Sequence, residues 1–213
     1  SGITGTVTTT NSHATILQGN ISYPQIQGGL TANNLSPIVI QIDPATPQGT
    51  LLRLHLNLTD GIGTEFDVSE FIPVEAAHAV YISLQVADGA NLKLDPDETA
   101  PLNVTIKNIG AVPVQDVYAR LYTDNDLISI TDNTAYFGEL PVNTEVSTST
   151  DNFIVWQRPQ TLPGMVMPLT LKLYNASGFE QYVPFTLTVG TVTQSDPLGP
   201  DTYGYVIYDV TDN

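Results

Sequence analysis

The chain has 213 residues, no cysteine and a net charge of −16, from 22 acidic against 6 basic side chains. That balance repels nucleic-acid duplexes and anionic membrane surfaces, and without cysteine neither disulfides nor thiol chemistry are available. Only 13% of residues are charged while 41% are hydrophobic, enough apolar material for real cores, with polar character left to Thr, Asn, Gln and Ser.

This is the profile of a secreted or surface β-protein, and an extracellular or cell-surface location is expected. No stretch approaches the roughly 20 apolar residues of a membrane span, so no membrane insertion is expected. No leader is recognised, and Ser1-Gly2 runs directly into a Thr-rich strand, as expected of an exported chain in processed form.

In chain order, alternation with a period of two dominates. Leu52, Leu54, Leu56 and Leu58 alternate with Arg53, His55 and Asn57. Leu102, Val104 and Ile106 alternate with Asn103, Thr105 and Lys107. In "FIVWQ", Phe153 and Val155 alternate with Ile154 and Trp156, and Trp156 is expected in a sandwich core. Met167, Leu169, Leu171 and Leu173 follow, then Val183, Phe185, Leu187 and Val189. Each set predicts a strand with one buried and one wet face. No window predicts an amphipathic helix, and 15 Pro and 16 Gly punctuate the strands. The expected fold is an all-β sandwich.

The chain also repeats itself. "VTTTNSHATILQGNISYPQI" (7–26) sets without gaps on "LYTDNDLISITDNTAYFGEL" (121–140), so that Thr9 meets Thr123, Asn11 meets Asn125 and Ile16 meets Ile130. After one extra residue, "IDPATPQGTLLRLHLNL" (42–58) sets on "QRPQTLPGMVMPLTLKL" (157–173), with Thr46 on Thr161 and Gly49 on Gly164. Gly63 and Glu65 then meet Gly178 and Glu180. Two copies of one module are expected. Residues 76–120 supply about three further strands, and the first copy has no counterpart for them. The expected division is an incomplete sandwich over 1–75, a complete one over 76–190, and a linker with an apolar strand over 191–213. A module lacking its opening strands exposes inner faces and unpaired edges.

"LKLDPDETAPLNVTIKNIG" (92–110) resembles the L-x-PGE-x-x-x-L-x-VT-x-x-N-x-G opening of immunoglobulin-like modules of the CARDB and related bacterial types, with Asp97 in place of the usual Gly. The later "FGELPVNTEVSTSTDNFIV" and "PGMVMPLTLKL" look like the rest of that module. The tail "SDPLGPDTYGYVIYDVTDN" is similar to a segment that opens the next module in secreted gingipain-like multidomain proteins. The resemblance implies two tandem immunoglobulin-like sandwiches, a secreted parent, and no catalytic residues in the module itself.

Candidate chemistry is sparse. His13, His55 and His78 share no metal or catalytic spacing, and a gingipain-type nucleophile requires a Cys, so no enzyme is expected. Asp124, Asp126 and Asp132 are the candidate calcium ligands, although no full loop with a distal Glu follows and solvated turn carboxylates are the favoured reading. Sequons stand at Asn20, Asn34, Asn57, Asn103 and Asn175, with Asn57 and Asn103 on wet strand faces and Asn20 and Asn34 in loops. Tyr118 and Tyr122, with Arg120 between them, are candidates for a carbohydrate- or host-binding face, against the favoured reading of ordinary strand surface.

The tail supplies the remaining signal. Tyr203, Tyr205 and Ile207 alternate with Val206 and Tyr208. A strand apolar on both faces suits burial inside a sandwich. The expected partner is another copy of the chain. The tail of one subunit donates a strand to the incomplete first module of the next, head-to-tail and as a filament. The alternative is an accessory spacer or adhesion module of a gingipain-like multidomain protease or adhesin.

Overall fold

Residues 2–197, 199 and 203–208 are described by a computed structural model. They contain strands and no helix, so the chain is all-β. It divides into two compact units, Ser1–Ala76 and Ala77–Asn213. Unit 1 holds β1 (Ile3–Thr8), β2 (Ala14–Gln18), β3 (Asn20–Tyr23), β4 (Val39–Ile42), β5 (Leu51–Thr59) and β6 (Glu65–Pro73). Unit 2 holds β7 (Ala79–Val86), β8 (Thr99–Asn108), β9 (Val114–Tyr122), β10 (Ile128–Asp132) and β11 (Thr134–Leu140). It continues with β12 (Glu145–Ser147), β13 (Phe153–Gln157), β14 (Val166–Tyr174) and β15 (Glu180–Thr188).

Unit 2 has two antiparallel sheets. One runs β11-β9-β14-β15; in the other β8 is central, with β13 and β12 along one edge and β7 on the other. The inner residues of β8, namely Ala100, Leu102, Val104 and Ile106, are fully buried. They pack with Val117, Ala119 and Leu121 of β9 and with Met167 to Leu173 of β14 in one core. Asn108 ends β8 as a buried peg. Its side chain accepts from the amides of His78 and Gly110 and donates to the carbonyls of Val112 and Leu140. Every polar atom of that amide is therefore satisfied, which is the condition for burying it. Asp97, in the turn before β8, has φ 63°, the left-handed region that glycine enters most readily.

Unit 1 reproduces this arrangement in part. Its four-stranded sheet β3-β1-β5-β6 follows the order of β11-β9-β14-β15, and its two-stranded sheet β2-β4 follows β10-β13. The β2–β4 ladder slips between Ile16 and Gln18, as the β10–β13 ladder does between Ile130 and Asp132. The recurring turn residues do the same work in both units. Thr9 Oγ1 donates to the Arg53 carbonyl and Thr123 Oγ1 to the Pro168 carbonyl, both at 2.8 Å. Asn11 Oδ1 accepts from the His13 amide, and Asn125 Oδ1 from the Leu127 amide. Gly49 and Gly164 sit at φ 79° and 85°, where a side chain is strained. The Asp60 carboxylate accepts from the amides of Ile62 and Thr64, as the Asn175 amide oxygen does from those of Ser177 and Phe179.

Two expectations need correction. The strands without a counterpart are β7 and β8 with the short β12, not three strands from residues 76–120, because β9 corresponds to β1. The sequence match starts only at Val7, too late in β1 to show this. Trp156 is not a core residue: Phe153, Val155 and Gln157 face inward, and Trp156 is half-buried on the outer face with the Arg158 guanidinium 6.0 Å from its ring. Both faces of "FIVWQ" are apolar, so alternation alone could not choose between them.

Phe153→Ala is expected to destabilise unit 2 by about 3–5 kcal/mol, and Trp156→Ala by no more than about 2 kcal/mol, measured by denaturant unfolding. The Asp60 carboxyl is held below its ordinary range chiefly by the Thr64 amide, which outweighs desolvation, with the Ile62 amide adding to the lowering. A lowered folded pKa gives stability that is present above the unfolded value of about 4 and lost as pH falls through the folded value. Asp60→Asn is expected to keep the neutral-pH melting temperature, as Asn175 holds the equivalent turn, and to remove this acid-side loss; Asp60→Ala is expected to lower it at neutral pH.

Candidate functional site: the open cleft of unit 1

In unit 2 the edge strand β15 is covered from across the sandwich by β7. The rings of Tyr81 and Phe185 stack 4.9 Å apart at 7°. The Ala79 main chain exchanges two hydrogen bonds with the Gln181 side chain, at 2.8 and 2.6 Å. Among the described residues, no strand of unit 1 lies over β6. The β5–β6 register sets Phe66, Val68, Glu70 and Ile72 opposite Leu58, Leu56, Leu54 and Leu52, so all share the inner face. Val68 and Ile72 are 45% and 41% exposed, whereas their counterparts Val183 and Leu187 are each 5% exposed.

The facing sheet is open as well. β13 is paired on both sides, with β10 and β8, while β4 is paired only with β2. Among the described residues, one edge of β4 therefore has no ladder partner. Ile42 is 41% exposed where its counterpart Gln157 is fully buried. Glu70 is the one acidic side chain on the inner face of β6, at the position of Phe185. The core that remains, Val7, Ile21 and Leu54 with partly buried neighbours such as Ile16, Ile38 and Ile40, is small. An unpaired edge beside an uncovered apolar face is the receptor geometry for an added β-strand. Val68, Ile72, Ile42 and Glu70 were not singled out from the sequence. The repeat holds the signal: they stand where the second copy has buried residues.

The other candidate residues are placed as follows. Tyr203, Tyr205, Ile207 and Tyr208 are exposed and Val206 is half-buried. Among the described residues of the tail only Ile207 lies in a bridge, and Tyr203–Tyr208 form no strand. Residues 198, 200–202 and 209–213 of the expected linker and strand lie outside the described residues. Asp124 and Asp126 line a shallow pocket together with Arg158, whose fixed positive charge opposes a divalent cation. Asp132 does not join them; its Oδ1 accepts from the amide and hydroxyl of Thr134. Among the described residues no group of three His, Cys, Asp or Glu side chains is placed to hold a metal ion.

Asn20 opens β3 rather than lying in a loop. Asn34 donates to the Ser36 carbonyl, and Asn57 is exposed on β5. Asn103 is half-buried, with Oδ1 buried and unpartnered, because β8 is flanked on both sides. Asn175 is committed to its turn and to the Gln115 carbonyl. Tyr118 and Tyr122 are exposed. The ring of Tyr118 lies 4.8 Å from Tyr136 and 6.2 Å from Tyr174, and the Tyr136 hydroxyl donates to Asp116. That hydrogen bond pushes the Tyr136 phenol above its ordinary pKa. Only the strand register brings these three tyrosines together, so Tyr136 and Tyr174 were not foreseen.

No protein-family model and no curated protein matches the chain.

Proposed function

We propose that the chain is a non-enzymatic extracellular structural subunit that assembles head-to-tail into a filament, its C-terminal strand entering the open cleft of a neighbour's unit 1. The observation that carries this reading is the strand-by-strand correspondence of the two units, which leaves unit 1 short of β7 and β8 and nothing else of consequence. The exposed apolar tail offers what the cleft lacks. Burying three or four of its large side chains contributes about 5–10 kcal/mol before ordering costs. Ladder hydrogen bonds to β4 add specificity. The contact is heterologous, so it propagates unless its rotation closes a ring. The resemblance of residues 92–110 to CARDB-type immunoglobulin-like openings supports a secreted setting.

A second reading is favoured by one observation. In unit 2 the β7–β8 hairpin is joined directly to β9, the counterpart of β1. A hairpin of the same polypeptide, joined ahead of β1, would fill the cleft in cis. The chain would then be a spacer or adhesion module of a longer secreted protein, of the gingipain-like kind that the tail resembles. The intact mass of the native protein separates the two.

Deletion of residues 201–213 is expected to abolish polymers seen by light scattering and negative-stain microscopy while leaving the folded subunit intact by circular dichroism. Polymers that form equally well without the tail would sink the donation reading.

A further inference from the structure

On the reading that the tail is donated, we infer that it enters the cleft as a copy of β7, running parallel to β4 with Tyr205 set against Glu70. "YGYVIYDVTDN" (203–213) sets without gaps on "AVYISLQVADG" (79–89). Tyr205 meets Tyr81, Val206 meets Ile82, Tyr208 meets Leu84, Val210 meets Val86 and Asp212 meets Asp88. The tail is thus a second version of one of the two strands that unit 1 lacks.

The likeness sets a direction. β7 is antiparallel to β8, and β8 is antiparallel to β13, so β7 runs parallel to β13. The counterpart of β13 is β4. With no β8 between them, the tail moves over from β7's place by one strand spacing, about 5 Å, to meet the free edge of β4 in parallel. A strand standing in for β8 would run the other way.

The likeness also sets a register. In unit 2, Ala79 holds Gln181 and Tyr81 stacks on Phe185, so the two strands advance together. The unit 1 counterparts are Phe66 and Glu70. Tyr203 then lies over Phe66 and Tyr205 over Glu70. Leu54, Val68 and Ile72 surround Glu70 on that wall, and a carboxylate sealed there needs a donor once water leaves. The Tyr205 phenol supplies an O–H, which phenylalanine or leucine does not. Glu70 is therefore the specificity-determining residue of the cleft, selecting a tyrosine-bearing strand in this register.

The absence of cysteine makes the test clean. Phe66→Cys/Tyr203→Cys and Ile72→Cys/Tyr203→Cys variants of the full chain are treated with a short bis-maleimide, since facing sheets stand about 10 Å apart. The first pair is expected to give a ladder in multiples of 22.9 kDa, and the second only monomer. A ladder from the second pair alone overturns the parallel register but leaves donation standing. No ladder from either pair, with assembly unaffected by tail deletion, overturns both. Tyr205→Phe is expected to weaken assembly about 10- to 100-fold, with recovery on adding Glu70→Leu. Undiminished assembly of Tyr205→Phe overturns the Glu70 pairing.

Discussion

A β-sandwich holds only where its edges are paired and its inner faces covered, and in unit 2 the strand that meets both demands is β8. Its main chain is paired on both sides, its four inner side chains are sealed in the core, and Asn108 ties its end to three neighbouring segments. β12 exists because β8 is there to pair with it. β7 is held in place by β8 and in turn covers β15. Without the β7–β8 hairpin, the outcome is unit 1. The segment after β3 forms no strand until β4, the β4 edge is open, and the inner face of β6 meets water.

The rest of unit 1 is not degraded. The bulge in β2, the Thr9–Asn11 turn, the Asp60 turn and the left-handed Gly49 all keep the geometry of their counterparts. Among the described residues, unit 1 differs from unit 2 by the strands that correspond to β7, β8 and β12. On the proposed reading, that confinement lets a strand from elsewhere complete the unit without rebuilding it. A net charge of −16 keeps such a chain dispersed, so association is expected to need the specific joint rather than general stickiness.

Much of the fold was legible because alternation and turn chemistry are local. The leucine column of β5, the inner residues of β8 and β14, and the paired Thr, Asn and Gly turn positions all read directly from the chain. The correspondence between the two halves of the chain was legible through the repeat. What escaped depends on register or on which face is inward. The two sides of β13 are equally apolar, so Trp156 was misplaced. β1 diverges from β9 before Val7, so one strand too many was counted as missing. The cluster of Tyr118, Tyr136 and Tyr174 joins three strands through cross-strand pairing, which no single segment reveals. The tail's apolar residues were evident, but Tyr203–Tyr208 form no strand within their own unit.

Hydrogen exchange of the amides in β4 and β6, compared between monomer and assembled protein, tests the central claim most directly. The account predicts fast exchange along the open edge of β4 in the monomer and strong protection of the same amides on assembly. β4 amides already protected to the level of β13 in the monomer, with no change on assembly, would contradict it.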